Sequence, residues 1–366
     1  MYEHQGLQDI FFIILYGGAT FLALAACVYL LFRRSNAFAS DVTSPRELRH
    51  WAAAFMASVA ASHIWWVLLG IAFLTEDRLM RNIIAITLDR LTFVPLMMCT
   101  LLRMLQDRRR PLWPIAVAFV PIALISVICL IYRIEAFELA TEYYSIFIGL
   151  VFVVYFVRAV RQYTRWLNEN YADLERKELW QSLLLLAFIL FVYIGYTSNE
   201  GALLTEYLAQ VNTLIIIIFL LWRVETLQQL DAKETIMPED IPEDEDDGAP
   251  IAIPSNIGSL LEQRCEATQL YLRHNLTLQQ LATAIGTNRT YLSAYLAQQD
   301  ITYNAYINRL RIQYFIRLYR DSITSARSAT ATELAQQSGF RSYGTFAAAF
   351  KQFTGQTVTA WMKSQS

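Results

Sequence analysis

The sequence predicts an all-α protein in two unlike parts. A seven-transmembrane helix bundle comes first, followed by a cytoplasmic all-helical domain built from two helix-turn-helix units. Three observations carry this expectation. Apolar residues make up 55% of the chain and charged residues 17%, too apolar for an ordinary soluble domain, and the apolar excess lies before residue 225. Around Pro238 the composition changes abruptly to acid and proline. Beyond residue 255 the apolar spacing becomes helical and the same pattern of cap, helix, glycine, cap and helix occurs twice.

Runs free of Asp, Glu, Lys and Arg extend from Phe11 to Phe32, Trp51 to Leu74, Pro111 to Tyr132 and Leu179 to Thr197. Each is close to the ~20 residues that cross a ~30 Å hydrocarbon core as a helix. Three further runs complete a set of seven. Asn82 to Leu102 is interrupted by Asp89 and Arg90, Tyr143 to Val157 is short unless it extends back through Glu142, and Leu203 to Trp222 contains Glu206.

Loop charges set the expected orientation, because Lys and Arg are retained on the cytoplasmic side. One set of alternate loops holds thirteen basic residues: Arg33, Arg34, Arg46 and Arg49, then Arg103, Arg108, Arg109 and Arg110, then Arg158, Arg161, Arg165, Arg176 and Lys177. The other set holds only Arg78, Arg81 and Arg133. The N-terminus is therefore expected outside, and seven crossings leave the C-terminal part in the cytoplasm of a bacterial inner membrane protein. The first apolar run is too long for a cleavable signal peptide and has no basic region before it.

Residues 1–230 are thus expected to form the membrane domain, 231–255 a linker and 256–366 the second domain. The linker contains PEDIPEDEDDGAPIAIP, Pro238 to Pro254, in which seven of seventeen residues are acidic and four are proline. Such a stretch has too little apolar surface to offset its ordering entropy, and its like charges repel. Residues 255 to 366 carry eleven Lys plus Arg against five Asp plus Glu, a net of +6 that the linker hides in the total of −2.

In the second domain, LTLQQLATAIGTNRTYLSAYLAQQ runs from Leu276 to Gln299. Thr277 and Gln280 form a capping box before an apolar-periodic helix, Gly286 supplies the turn, and Asn288 caps a second helix starting at Arg289. The stretch TATELAQQSGFRSYGTFAAAFKQFTG, Thr330 to Gly355, repeats this order: Thr332 starts a helix, Gly339 makes the turn, and Ser342 caps a helix running through Lys351. Helix, short glycine turn and helix is the arrangement whose second helix enters a DNA major groove. On that reading Arg289, Thr290, Tyr291 and Ser293 face DNA in the first unit. Arg341, Ser342, Tyr343 and Thr345 do so in the second, with Lys351 on phosphate. Leu278, Leu281, Ile285, Leu292, Leu334, Phe340, Phe346 and Phe350 read as core. Arg309 and Arg311 read either as phosphate contacts or as part of a solvated helix face.

SGFRSYGTFAAAFKQFTGQTVTAW, Ser338 to Trp361, resembles the second helix-turn-helix of the AraC family of transcription regulators. LATAIGTNRTYLSAYL followed by YNAYINRLRI resembles the family's first unit and the start of its long connecting helix. The resemblance covers about residues 256 to 363. It implies two recognition helices held by one rigid helix, so that they enter successive major grooves on one DNA face. Members of the family more often carry a soluble sensing domain. The chain departs from the pattern at Ala294 and Ala348, where the family usually presents a basic or amide side chain, and in the long polar connection from Arg317 to Thr332.

In the membrane half, His63, Asp89, Arg90, Glu206 and Asn212 stand out, because ionisable and amide groups at that depth are costly and usually face a bundle interior or a wet cavity. Two readings stand. They form a ligand pocket open to the outside, or Asp89 and Arg90 pair internally, Glu206 snorkels to the interface and His63 is a packing residue. The four cysteines, Cys27, Cys99, Cys129 and Cys265, have no CxxC spacing, so no disulfide framework or zinc site is expected. No phosphate loop, nucleophile elbow or metal triad occurs, and neither an enzyme nor a cofactor is expected. The expected partners are double-stranded DNA, the lipid bilayer and an unidentified signal ligand, with a homodimer compatible. The expected function is a membrane-embedded one-component transcription regulator. The alternative is a transporter or membrane enzyme whose C-terminal module recruits a protein.

Overall fold

The computed structural model describes residues 7–70, 77–133, 136–175, 177, 179, 183, 203–230, 254–325 and 329–365. The chain divides into two compact units, one of residues 1–161 and 179–235, the other of residues 162–178 and 236–366. The fold is all-α, as expected; among the described residues there is no strand, only an isolated bridge between Tyr171 and Thr277.

The first unit contains α1 (Leu7–Phe32), α2 (Arg46–Leu68), α3 (Arg78–Arg103), α4 (Trp113–Tyr132), the start of α5 (Ala136–Asn170) and α6 (Leu203–Thr226). All six are long and apolar enough to cross a membrane. They correspond to the first five expected spans and the seventh. The expected sixth span, 179–197, and the expected linker, 231–255, fall almost entirely outside the described residues. Helix α1 packs on α2 and α6, α2 on α3, and α3 on α4. Its inner stripe is Ala19, Ala23, Ala26 and Leu30, and α2 answers with Ala52, Ala53 and Ala60; small residues let helix backbones approach closely where no water drives association. The outer faces are apolar instead of polar: Phe21 is 74% exposed and Phe32 75%. That is the inverse of a water-soluble bundle.

Two local features shape the ends of this unit. Asp77 caps α3 by accepting from the Met80 N–H at 3.1 Å. At the end holding the C-termini of α1 and α6, Arg33 Nε lies 2.9 Å from the fully buried Glu225 carboxylate, and Asn36 Nδ2 donates to the Glu225 carbonyl at 2.8 Å. The run from Tyr143 to Val157 does extend back through Glu142, and it also runs on well past Val157. Its helix, α5, has 35 residues and is about 52 Å long at 1.5 Å per residue. Arg158, Arg161 and Arg165, expected in a loop, lie on its last turns, because nothing between Tyr143 and Asn170 breaks a helix.

The second unit contains α7 (Ile257–Leu261), followed by one π-turn and one 3₁₀ turn, then α8 (Leu278–Ile285), α9 (Arg289–Gln298), α10 (Tyr303–Thr324), α11 (Ala331–Gln337), α12 (Tyr343–Thr354) and α13 (Val358–Gln365). Its spine is α10, 22 residues or about 33 Å. Tyr303, Tyr306, Ile307 and Leu310 on its first half join the core of α7, α8 and α9. Ile312, Phe315 and Tyr319 on its second half join the core of α11, α12 and α13. All eight residues read as core from the sequence are buried there.

Candidate nucleic-acid interface

Each helix-turn-helix unit is built by local chemistry that fixes where its second helix begins. Thr277 Oγ1 accepts from the Gln280 N–H while Gln280 Oε1 accepts from the Thr277 N–H, closing the capping box at the start of α8. Gly286 then takes φ +84°, which only glycine adopts without strain, and Asn288 Oδ1 accepts from the Tyr291 N–H at 2.8 Å to start α9. In the second helix-turn-helix the helix starts at Ala331, one residue before the expected Thr332. Thr330 is the cap, because Glu333 stands three residues on and closes a capping box with it, at 2.9 and 3.2 Å. Those bonds from Thr330 hold the Glu333 carboxyl below the usual carboxylate range. Gly339 takes φ +89°, and Ser342 Oγ accepts from the Thr345 N–H at 3.3 Å to start α12.

The sequence-predicted residues therefore gather at the N-terminal turns of two helices. In α9, Thr290 is exposed, Arg289 and Ser293 are half-buried, and the Tyr291 ring leans on the apolar core. In α12, Tyr343 is exposed and its ring centroid lies 5.8 Å from that of Phe346. Arg341, Ser342 and Thr345 are half-buried, and the Ser342 and Thr345 hydroxyls lie 3.0 Å apart. Lys351 is exposed two turns further along α12, and Ala348 is exposed between them. Such a turn, at the positive end of a helix and with exposed polar side chains, suits phosphate and base edges.

Neither reading of Arg311 holds. Its side chain is 1% exposed; Nε donates to the Tyr271 carbonyl and Nη2 to the Arg273 carbonyl, both at 2.8 Å, and the guanidinium stands 5.7 Å from the Phe340 ring centroid. Burial pulls its pKa below the usual guanidinium range. A charged residue at a helical spacing gives no sign in sequence that its helix is sandwiched between two cores. Arg309 is exposed and lies against the Tyr306 ring at 5.7 Å. Burial also pushes the Cys265 thiol up to about 12, which makes it a core group and not a reactive one.

In the first unit the five intramembrane candidates fall into separate networks. His63 bridges three helices: Nδ1 lies 2.8 Å from the Val59 carbonyl, Nε2 lies 2.8 Å from Gln210 Oε1, and the Tyr16 hydroxyl donates to the His63 carbonyl. Asp89 accepts from Ser62 Oγ at 2.6 Å and from Trp66 Nε1 at 2.8 Å. The expected Asp89 to Arg90 pairing is not made. Neighbours on a helix point about 100° apart, and Arg90 donates to Thr141 Oγ1 at 2.6 Å instead. Asn212 is buried with its Nδ2 unpartnered, and Glu206 is half-buried near the start of α6. Sequence reading missed Ser62, Trp66, Gln210 and Thr141, uncharged residues that become legible only as partners. It also missed Glu225, which the α6 pattern presents as the end of a span.

Residues 263–364 match the family model described as "Helix-turn-helix domain". An uncharacterized HTH-type transcriptional regulator of Staphylococcus aureus (strain MRSA252) is 30% identical over 100 residues, which are 26% of this chain and 12% of that protein. The chain thus spans about an eighth of that relative's length. No solved structure matches. Residues 263–364 are an AraC-type helix-turn-helix domain, as the motifs there led one to expect.

Proposed function

We propose that this protein is a membrane-embedded, one-component transcription regulator: a seven-helix bundle takes up a signal outside the cell or in the bilayer and biases a DNA reader attached to it inside. The observation that carries this reading is one of composition within a single chain. Two capped recognition helices with exposed polar N-terminal turns follow six helices that are each long and apolar enough to cross a membrane. Basic loops are the retained, cytoplasmic ones, and their count of thirteen against three favours the side where DNA is found. In this reading Arg289, Thr290, Tyr291, Ser293, Arg341, Ser342, Tyr343 and Thr345 meet DNA at or beside base edges. Lys351 meets a phosphate. His63, Asp89, Arg90, Glu206 and Asn212 tune the membrane part. A signal ligand and a homodimer belong to the same proposal.

Full-length protein in lipid nanodiscs, titrated with duplex fragments of host genomic DNA across a salt series, tests the reading. Binding should fall steeply and linearly in log K against log salt, since each neutralised phosphate releases condensed counterions. A flat or absent response would instead fit a module that recruits protein. Reporters fused after Arg110 and after Glu138 should be cytoplasmic and external respectively; the reverse would put the reader out of reach of DNA.

A further inference from the structure

A segment that the loop-charge count treats as a simple connection is built into the second unit. Tyr171, Ala172 and Asp173, which follow α5, are all buried. The Ala172 N–H donates to the Leu276 carbonyl at 3.2 Å, Tyr171 bridges to Thr277, and Asn304 Nδ2 donates to the carbonyls of Tyr171 and Ala172 at 3.2 and 2.9 Å. The Ala172 side chain belongs to the same apolar cluster as Leu276, Leu278 and Tyr303. Lys177 is buried too; its Nζ donates to the Asp173 carbonyl at 2.9 Å and stands 5.5 Å from the Tyr171 ring centroid. Asp173 Oδ1 fixes the Glu175 N–H at 3.0 Å. From there Glu175 reaches the first turn of α12, where Thr345 Oγ1 donates to its Oε2 at 3.4 Å.

The N-terminal turn of a helix carries roughly half a positive charge and readily accepts a carboxylate or a phosphate. Glu175 therefore occupies, with the charge of a phosphate, the turn that holds Ser342, Tyr343 and Thr345. DNA approaching that turn would meet a carboxylate of like charge.

We propose that residues 171–175, with Lys177, form an autoinhibitory strap, which in its seated state masks the second recognition helix and on release exposes it to DNA. The inference rests on the DNA-binding reading given above. Its seat is the cap of α8, the first turn of α10 and the first turn of α12, and its occupant is this chain's own segment. The strap continues α5 without interruption, so a displacement of α5 in response to a signal pulls on it directly. By linkage, DNA that selects the released state must also bias the membrane part.

The test uses full-length protein in nanodiscs and a duplex selected from genomic fragments by the wild-type protein. Glu175→Gln should tighten binding about 3- to 10-fold at low salt by shifting the strap equilibrium. Glu169→Gln, an equal change of charge on the exposed end of α5, should leave it within about 2-fold, the spread of unrelated surface changes. A second variant does not rely on charge: Tyr171→Cys with Thr277→Cys joins a directly opposed pair, a spacing a disulfide can span. Oxidised, this protein should bind at least 10-fold more weakly than after reduction. Equal affinities for its oxidised and reduced forms, or equal effects of Glu175→Gln and Glu169→Gln, would overturn the strap while leaving DNA binding intact. Absence of DNA binding by every form would sink the functional reading along with it.

Discussion

Arg311 Nε lies 3.1 Å from the point a Cβ on Gly339 would occupy, so the guanidinium that ties down the first helix-turn-helix unit also walls in the turn of the second. The same imaginary Cβ would stand 2.9 Å from the Leu272 backbone, and His274 Nδ1 lies 3.1 Å from the Gly339 carbonyl. The two recognition helices are therefore fixed relative to each other by packed, hydrogen-bonded backbone as well as by α10.

Rigid coupling predicts a strict spacing on DNA. Inserting about 5 bp, half a helical turn, between the two contacted grooves turns them to opposite faces. Affinity should fall to that of a duplex carrying one groove site alone. Titration of a spacing series checks this, and a flat series would mean the two units bind independently.

Arg311→Met should destabilise the second unit by roughly 2 to 4 kcal/mol, because it strands the buried Tyr271 carbonyl and the partly buried Arg273 carbonyl that the guanidinium now satisfies. Gly339→Ala should cost roughly 1 to 3 kcal/mol, from strain at φ +89° and from backbone that cannot yield. Protease susceptibility of the second unit in full-length protein, followed with temperature, reads both. Wild-type melting of either variant would contradict the fixed junction.

At the DNA face, Arg341→Ala and Tyr343→Ala should reduce discrimination between selected and random duplexes by about 1 to 3 kcal/mol, the worth of a lost base contact. Lys351→Ala should weaken both duplexes equally and lower the salt slope by about 1. Competition titrations at two salt concentrations separate the two behaviours. Retained preference in the first two variants would mean that α12 docks in another register.

The second helix-turn-helix should loosen in acid through Glu333. Its folded-state pKa is depressed by the Thr330 bonds, so the capping box contributes stability above the ordinary carboxylate pKa and loses it as pH falls through the lower, folded value. The Glu333→Gln protein should therefore show a flatter acid limb in melting temperature from pH 6 to pH 3. Superimposable pH curves would remove the capping box from the pH response.

For the membrane part, Asp89→Asn should leave insertion intact and change the output of a reporter driven from a bound site by about fivefold or more, a common coupling strength. The carboxylate takes two donors from α2, Ser62 and Trp66, and an amide oxygen with one amino group cannot accept both in the same geometry. Unchanged output at equal expression would make Asp89 a packing residue.

Much of this was legible in the sequence where the signal is local. Caps and turn glycines such as Thr277, Gly286, Asn288, Gly339 and Ser342 act on neighbours within four residues, and all five do what their spacing implies. Thr332 misled because Thr330 offers the same chemistry two residues earlier and only Glu333 decides between them. Partners across the fold left no such trace. Asp89 finds Ser62 and Trp66 rather than Arg90, Arg311 closes a junction between two cores, and Glu175 lies on a helix 170 positions away. In each case burial and direction are set by packing, which no local spacing encodes.

The central claim is that one chain reads DNA while embedded in the membrane. It is tested most directly by crosslinking host cells, isolating the washed membrane fraction and sequencing the DNA that co-purifies with this protein. The account predicts discrete genomic sites that share a sequence spanning two successive major grooves and that weaken with Arg341→Ala. DNA spread evenly along the chromosome, unchanged by Arg341→Ala, would contradict it.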